Sequence, residues 1–273
     1  MSDISLTEST RANLLATQKT KALIDRTSLR LSTGKRVNEP TDNVRAFILA
    51  KTLTNQAGNL LSVKESIGQS LSAVGGALSG IDSITRLVEQ LKVAANDASD
   101  QTAEIRAVQA ARFDELRAQL DGIATDANYK GVSLLAASPD SLTVTFDKTN
   151  GSSLTISGAA SDSTSLGIGT GAVAFNNFAT DADIQAAIDA LDNAVTTLRT
   201  TAVQLGSNAS ILNTRLDFTQ DLANTIDSAA GKLTGADLNE VAANLLALNV
   251  ARKLSVTSLT ISNKSQQSIL QLF

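Results

Sequence analysis

The 273-residue chain carries 23 Lys/Arg against 27 Asp/Glu, a formal net charge of −4, with no Cys, no His and no Trp. The absence of Cys excludes disulfides, thiolate metal sites and cysteine nucleophiles, and the absence of His removes the commonest general base and metal ligand. Aromatics make up only 3% of residues, so the core must be built from Leu, Ile, Val and Ala, which suits helix seams better than an enzyme cleft.

Charge is unevenly spread. Residues 1–51 hold nine Lys/Arg against five Asp/Glu, residues 241–273 hold three against none, and residues 52–240 hold eleven against twenty-two. The basic residues lie among apolar heptad positions without interleaved aromatics, so packing or solvation, not nucleic-acid binding, is expected of them. No segment approaches the roughly eighteen apolar residues of a membrane span, and membrane insertion is not expected. Met1 to Thr10 carries Asp3 and Glu8 and no apolar run, unlike a cleavable secretory signal.

The spacing predicts a first helix over about 8–33, with Leu15, Ala22 and Leu29 one heptad apart and Thr17, Ile24 and Leu31 beside them. Gly34 is placed to end it, because glycine enters the left-handed region without steric cost. Glu39 precedes Pro40 and is disfavoured in the helical region, so 35–40 reads as a connector, with Thr41 or Asp42 capping the next helix.

That helix is long. Ala46, Leu49, Leu53, Gln56, Leu60, Val63, Ile67, Ser70, Val74, Ala77, Ile81, Ile84, Val88, Leu91, Ala95 and Ala98 alternate steps of three and four, the pattern of a coiled-coil seam. Gly68 and Gly75 within it read as sites of close backbone approach or as a weakened stretch. A further helix is predicted over 103–126 with Ile105, Val108, Leu116, Leu120 and Ile123 inward. Residues 138–180 then turn rich in Gly, Ser, Thr, Ala and Asp. Leu142, Val144 and Phe146, then Leu154 and Ile156, alternate with polar residues around Asn150-Gly151, a hairpin signal. Thr180 or Asp181 opens a second long seam, Ile184 to Ala230, broken at Gly231 and Gly235. Asp237 with Glu240 caps a last helix.

Several motifs carry no chemistry. Ser32-Thr-Gly-Lys35 lacks the companion elements of penicillin-recognising enzymes. Gly167-Ile-Gly-Thr-Gly171 has the wrong spacing for dinucleotides, and Asp181 with Asp183 reads as helix capping. No catalytic, cofactor-binding or metal-binding residue is predicted.

Three stretches carry a family likeness. Leu31-Ser-Thr-Gly-Lys-Arg-Val-Asn38 followed by Asp42-Asn43, Asn128-Tyr-Lys-Gly-Val-Ser-Leu-Leu135, and Leu259-Thr-Ile-Ser-Asn-Lys-Ser-Gln-Gln-Ser-Ile-Leu-Gln-Leu-Phe273 stand in the order found in bacterial flagellin, which the chain resembles. The resemblance implies a mainly α fold: a long antiparallel coiled-coil-like helical rod of N- and C-terminal arms with a small β-hairpin-containing insertion. It implies 1–42 with 236–273 as an inner terminal-helix domain, 43–137 with 181–235 as the helical rod, and 138–180 as a variable insertion.

The implied function is a structural subunit, not an enzyme, that polymerises into the hollow filament used for swimming motility. Its partners would be further copies of itself, the flagellar type III export apparatus, the cap and hook-junction proteins, and an export chaperone. It would lie outside the cell, exported without a cleavable signal. The assembly interface is expected at Leu15, Ala22, Leu29, Leu31, Arg36, Asn38, Leu245, Leu248, Leu254, Leu259, Ile261, Ile269, Leu272 and Phe273. The alternatives are a hook–filament junction protein, towards which Pro40 leans, and a coiled-coil binding module or adhesin. Around Arg86 and Glu89, Val88 and Gln90 replace the Arg and Leu usual in the stretch read by vertebrate innate receptors, so receptor activation is not expected.

Overall fold

The computed structural model describes residues 8–147 and 151–270. About three-quarters of the described residues are helical (74%), a mainly α architecture as expected. The helices are α1 (Glu8–Thr33), α2 (Val44–Asp97), α3 (Ala103–Asp126), α4 (Asp181–Thr234) and α5 (Leu238–Leu270). Four short strands, β1 (Asn128–Tyr129), β2 (Val132–Ser133), β3 (Ser141–Thr145) and β4 (Ser153–Ser157), separate α3 from α4.

The helix ends follow local chemistry, with two departures from expectation. Gly34 ends α1 at φ 67°, as its freedom from a Cβ allows. Asn43, not Thr41 or Asp42, caps α2, its Oδ1 accepting from the Ala46 N–H at 3.0 Å, because the Asp42 carboxylate is occupied within the connector. At the start of α4, Thr180 and Asp183 cap one another: the Asp183 carboxylate accepts from the Thr180 N–H and hydroxyl, and the Thr180 Oγ1 accepts from the Asp183 N–H. This pairing of hydroxyl and backbone holds the Asp183 carboxyl below the usual carboxylate range. The second departure is Gly231, which does not break α4. One helical glycine costs only about 1 kcal/mol, and the Gly235 N–H still closes on the Gly231 carbonyl at 2.7 Å. Asp237 caps α5 through Oδ1, which accepts from the Asn239 and Glu240 N–H groups.

The chain divides into two compact units. The first comprises residues 1–57 and 224–273, and in it α1 packs along α5. Its two connectors meet as an antiparallel bridge between Lys35 and Gly235. The Arg36 N–H donates to the Thr234 carbonyl at 2.6 Å, and the Ala236 N–H to the Gly34 carbonyl at 3.0 Å. Val37, beside this bridge, is buried.

The second unit, residues 58–223, holds one continuous apolar core. On α2 the expected seam is buried from Val63 through Ile67, Val74, Ile81, Ile84, Val88 and Leu91 to Ala98, with Ser70 buried among them. On α4, Ile184, Leu191, Leu198, Leu205 and Leu212 are buried, with Ile188, Val195, Ala202 and Ala209 packed beside them. Close backbone approach occurs at neither Gly68 nor Gly75, where a Cβ would meet open space. Tight packing is found instead at Gly80, where a Cβ would lie 2.8 Å from the Ala127 side chain.

The inward face of α3 differs from expectation. Ala110, Phe113, Leu120 and Ala124 are buried, Leu116 and Ile123 half-buried, and Ile105 and Val108 exposed. The buried row is 106, 110, 113, 117, 120 and 124, and it includes Arg106 and Arg117, whose charges hid it from a hydrophobic count. Both arginines bind the segment after β4. Arg106 donates to the Phe178 and Ala179 carbonyls and pairs with Asp181 at 2.6 Å; Arg117 Nε donates to the Ile168 carbonyl at 2.9 Å. Two α3 carboxylates act alike: Asp121 accepts from the Ser163 N–H and hydroxyl, and Asp114 from the Gly171 and Ala172 N–H groups.

This strap ends in a turn, Asn176–Phe178, whose residues have φ of 44, 54 and 57°. Non-glycine residues adopt that region at a cost of roughly 1–3 kcal/mol each. The offset is visible: the buried Phe178 ring stands edge-on to Phe113 at 5.6 Å. Before the strap, β3 and β4 form the expected antiparallel hairpin, with Leu142 opposite Ile156 and Val144 opposite Leu154.

Candidate assembly interface

In the first unit, α1 is inside out. Its inward row is Thr10, Asn13, Thr17, Thr20, Ile24, Thr27 and Leu31, all buried or half-buried. Five of the seven are polar. The threonines tolerate this because Thr17, Thr20 and Thr27 donate their hydroxyls to carbonyls one turn back, at 2.7–2.9 Å. The opposite face carries Leu15, Ala22 and Leu29, all exposed (Leu15 53%), flanked by the exposed Leu14 and Leu23.

α5 also leaves an apolar face exposed, although its inward row is mainly apolar. Val241, Leu245, Leu248, Ser255, Leu259 and Ser262 are half-buried, whereas Leu254 is 65% exposed in company with Leu246, Val250, Val256 and Ile261. The expected interface residues thus fall into three groups. Leu15, Ala22, Leu29, Leu254 and Ile261 face solvent; Leu31, Leu245, Leu248 and Leu259 are half-buried; Arg36 and Asn38 belong to the connector. Leu272 and Phe273 lie outside the described residues, as does the side chain of Ile269.

The connector is fixed by a cluster that spacing alone did not single out. The Asp42 carboxylate accepts from the Asn38 N–H at 3.0 Å and the Glu39 N–H at 3.4 Å, and it faces Arg26 at 3.2 Å and Arg30 at 3.7 Å. The Asn38 N–H is the largest influence holding the Asp42 carboxyl below its ordinary range; burial opposes it, and the Glu39 N–H and the two guanidinium groups add to it. Asn38 also donates its side-chain amide to the Lys35 carbonyl at 3.0 Å. Among the described residues, no group of three or more Asp or Glu is placed to hold a metal ion.

Apolar faces turned outward on long helices define a structural, self-associating protein. The N-terminal helical region of bacterial flagellin matches residues 4–140, and the C-terminal helical region of bacterial flagellin matches residues 188–273. The flagellin FljM of Caulobacter vibrioides is 32% identical over 93% of this chain and 92% of its own length. A flagellin of Brucella melitensis is 27% identical over 98% of both chains. The crystal structure of Bacillus cereus flagellin shares the fold over 56% of this chain and 88% of that one, at a TM-score of 0.50 and 18% identity.

The chain belongs to the bacterial flagellin family. It is a structural subunit that self-polymerises into the extracellular flagellar filament, serves motility, and is not an enzyme. The hook–filament junction reading is not favoured.

Proposed function

We propose that polymerisation is driven by the outward faces of α1 and α5, with Leu15, Ala22, Leu29, Leu254 and Ile261 buried only against neighbouring copies. The supporting observation is α1, which turns threonines inward and leaves leucines exposed, together with the exposed Leu246, Leu254 and Ile261 of α5. Burial of one leucine contributes roughly 1.5–3 kcal/mol, so a handful of such contacts outweighs a weak isolated pair. Ordering the terminal helices on assembly gives an interface that repeats without closing. In this reading 1–42 with 236–273 form the inner domain, 43–137 with 181–235 the helical shell, and 138–180 the variable insertion. Leu31, Leu245, Leu248 and Leu259 hold the pair together, Arg36 and Asn38 fix the connector, and Ile269, Leu272 and Phe273 extend the contact. Export proceeds through the flagellar type III apparatus without a cleavable signal, with cap, hook-junction and chaperone proteins as transient partners.

Deletion of residues 236–273 tests the reading. Sedimentation and electron microscopy of the truncated chain on wild-type filament seeds are expected to show no elongation, while circular dichroism retains a helical core. Normal filaments from the truncation would overturn it.

A further inference from the structure

The first unit is basic and the second acidic. Residues 1–57 with 224–273 hold thirteen Lys/Arg against eight Asp/Glu, whereas residues 58–223 hold ten against nineteen. Within the first unit, α5 is the clearest case: Glu240 in its first turn is the last acid of the chain, and residues 241–273 hold Arg252, Lys253 and Lys264. Among the described residues none of these three cations makes an ion pair. On the helix packed against α5, Asp25 is taken up by Lys21, and Glu8 stands in the first turn of α1.

Two of the cations share a row with apolar side chains. Leu246, Val250, Lys253, Thr257, Ile261 and Lys264 follow one another along α5 by steps of three and four, which keeps them on one side of the helix. All six are exposed, and Leu254, beside Lys253, is 65% exposed. The row is about 27 Å long at about 1.5 Å per residue. Thr257 donates its hydroxyl back to the Lys253 carbonyl at 2.9 Å, so the two ammonium groups are the only hydrogen-bond donors the row presents outward.

We infer that, in the free subunit, this row of α5 seats on the surface of an anionic lipid bilayer. Leu246, Val250, Leu254 and Ile261 enter the boundary between headgroups and acyl chains. Lys253 and Lys264 lay their methylene stems along the apolar row and bring their ammonium groups to lipid phosphates. The helix lies in the plane of the surface, and among the described residues no helix is long and apolar enough to cross a membrane. Charge complementarity selects this occupant: aliphatic side chains with lysines and no acid suit an anionic interface along their whole length, and a fluid lipid surface requires no matching shape. The row overlaps the face assigned above to assembly, so lipid holds the subunit only before it joins a filament.

Co-sedimentation of the full-length monomer with vesicles tests the inference. One set is phosphatidylcholine alone, and the other contains about one part in four phosphatidylglycerol. Binding to the anionic set is expected to be at least about tenfold stronger, and to fall towards the neutral level at about 0.5 M salt. Lys253→Gln combined with Lys264→Gln should weaken it roughly 25-fold, about fivefold for each lysine, and Lys253→Arg with Lys264→Arg should stay within about twofold of wild type. Leu254→Ser combined with Ile261→Ser should weaken it about tenfold or more. All four side chains are exposed, so circular dichroism of the monomers should not change. Equal binding to the two vesicle sets, no binding to the anionic set, or wild-type binding by the glutamine variant would overturn the inference. So would wild-type binding by the serine variant, which would reduce the effect to attraction of cations to any polyanion. None of these outcomes bears on growth from filament seeds, and failure of the wild-type chain to grow on its seeds would take down the assembly reading alone.

Discussion

Asp42 shows how one side chain couples sequence position to pH. Its carboxylate gathers two backbone N–H groups and two arginines within the connector, and its folded-state pKa is lowered. A lowered carboxylate pKa adds stability above the unfolded pKa, near about 3.9, and that stability is lost as pH falls through the folded value. The connector is therefore expected to loosen below about pH 4. Asp42→Ala, which leaves the Asn38 N–H and the arginines without this acceptor, is expected to cost about 1–3 kcal/mol at neutral pH. Chemical denaturation at pH 7 and pH 3 measures both effects: wild type should approach the variant at acid pH, and an equal gap at both would contradict the assignment. Spacing offers Thr41 or Asp42 as the cap of α2, one or two residues short of Asn43, which serves. Asn43 serves equally well as a cap, and nothing local announces that arginines one and two turns before the end of α1 will reach the neighbouring carboxylate.

At the scale of elements, periodicity placed the helices well but did not always tell which row turns inward. On α2 and α4 one row is apolar but for Ser70 and Thr219, so the seam is legible across the second unit. On α1 two rows compete. Leu15, Ala22 and Leu29, one heptad apart and expected at the assembly interface, are exposed, and the inward row is Thr10 to Leu31. On α3 the inward row contains two arginines, so of the residues expected inward only Leu120 lies on it. Its polar residues act on the strap, and Asp121 is the test of that role. Asp121→Ala leaves the Ser163 N–H and hydroxyl without their acceptor, at an expected cost of about 1–3 kcal/mol. Limited proteolysis should then cut within 158–180 faster than in wild type, with helical content unchanged. An unaltered cleavage pattern would show that the strap holds without it.

For the whole molecule, the two units differ in what keeps them folded. Residues 58–223 bury an apolar core of their own, so their hydrogen bonds are expected to open only by large-scale unfolding. In the unit of α1 and α5, α1 turns a mainly polar row inward and both helices leave apolar residues exposed.

Amide hydrogen exchange, read by mass spectrometry on monomers and on filaments of the same full-length chain, tests the central claim most directly. The account predicts that amides of α1 and α5 exchange fast in the monomer and become protected on assembly, while those of α2 and α4 between residues 63 and 212 are slow in both. Terminal helices equally protected in monomer and filament, or still unprotected in the filament, would contradict it.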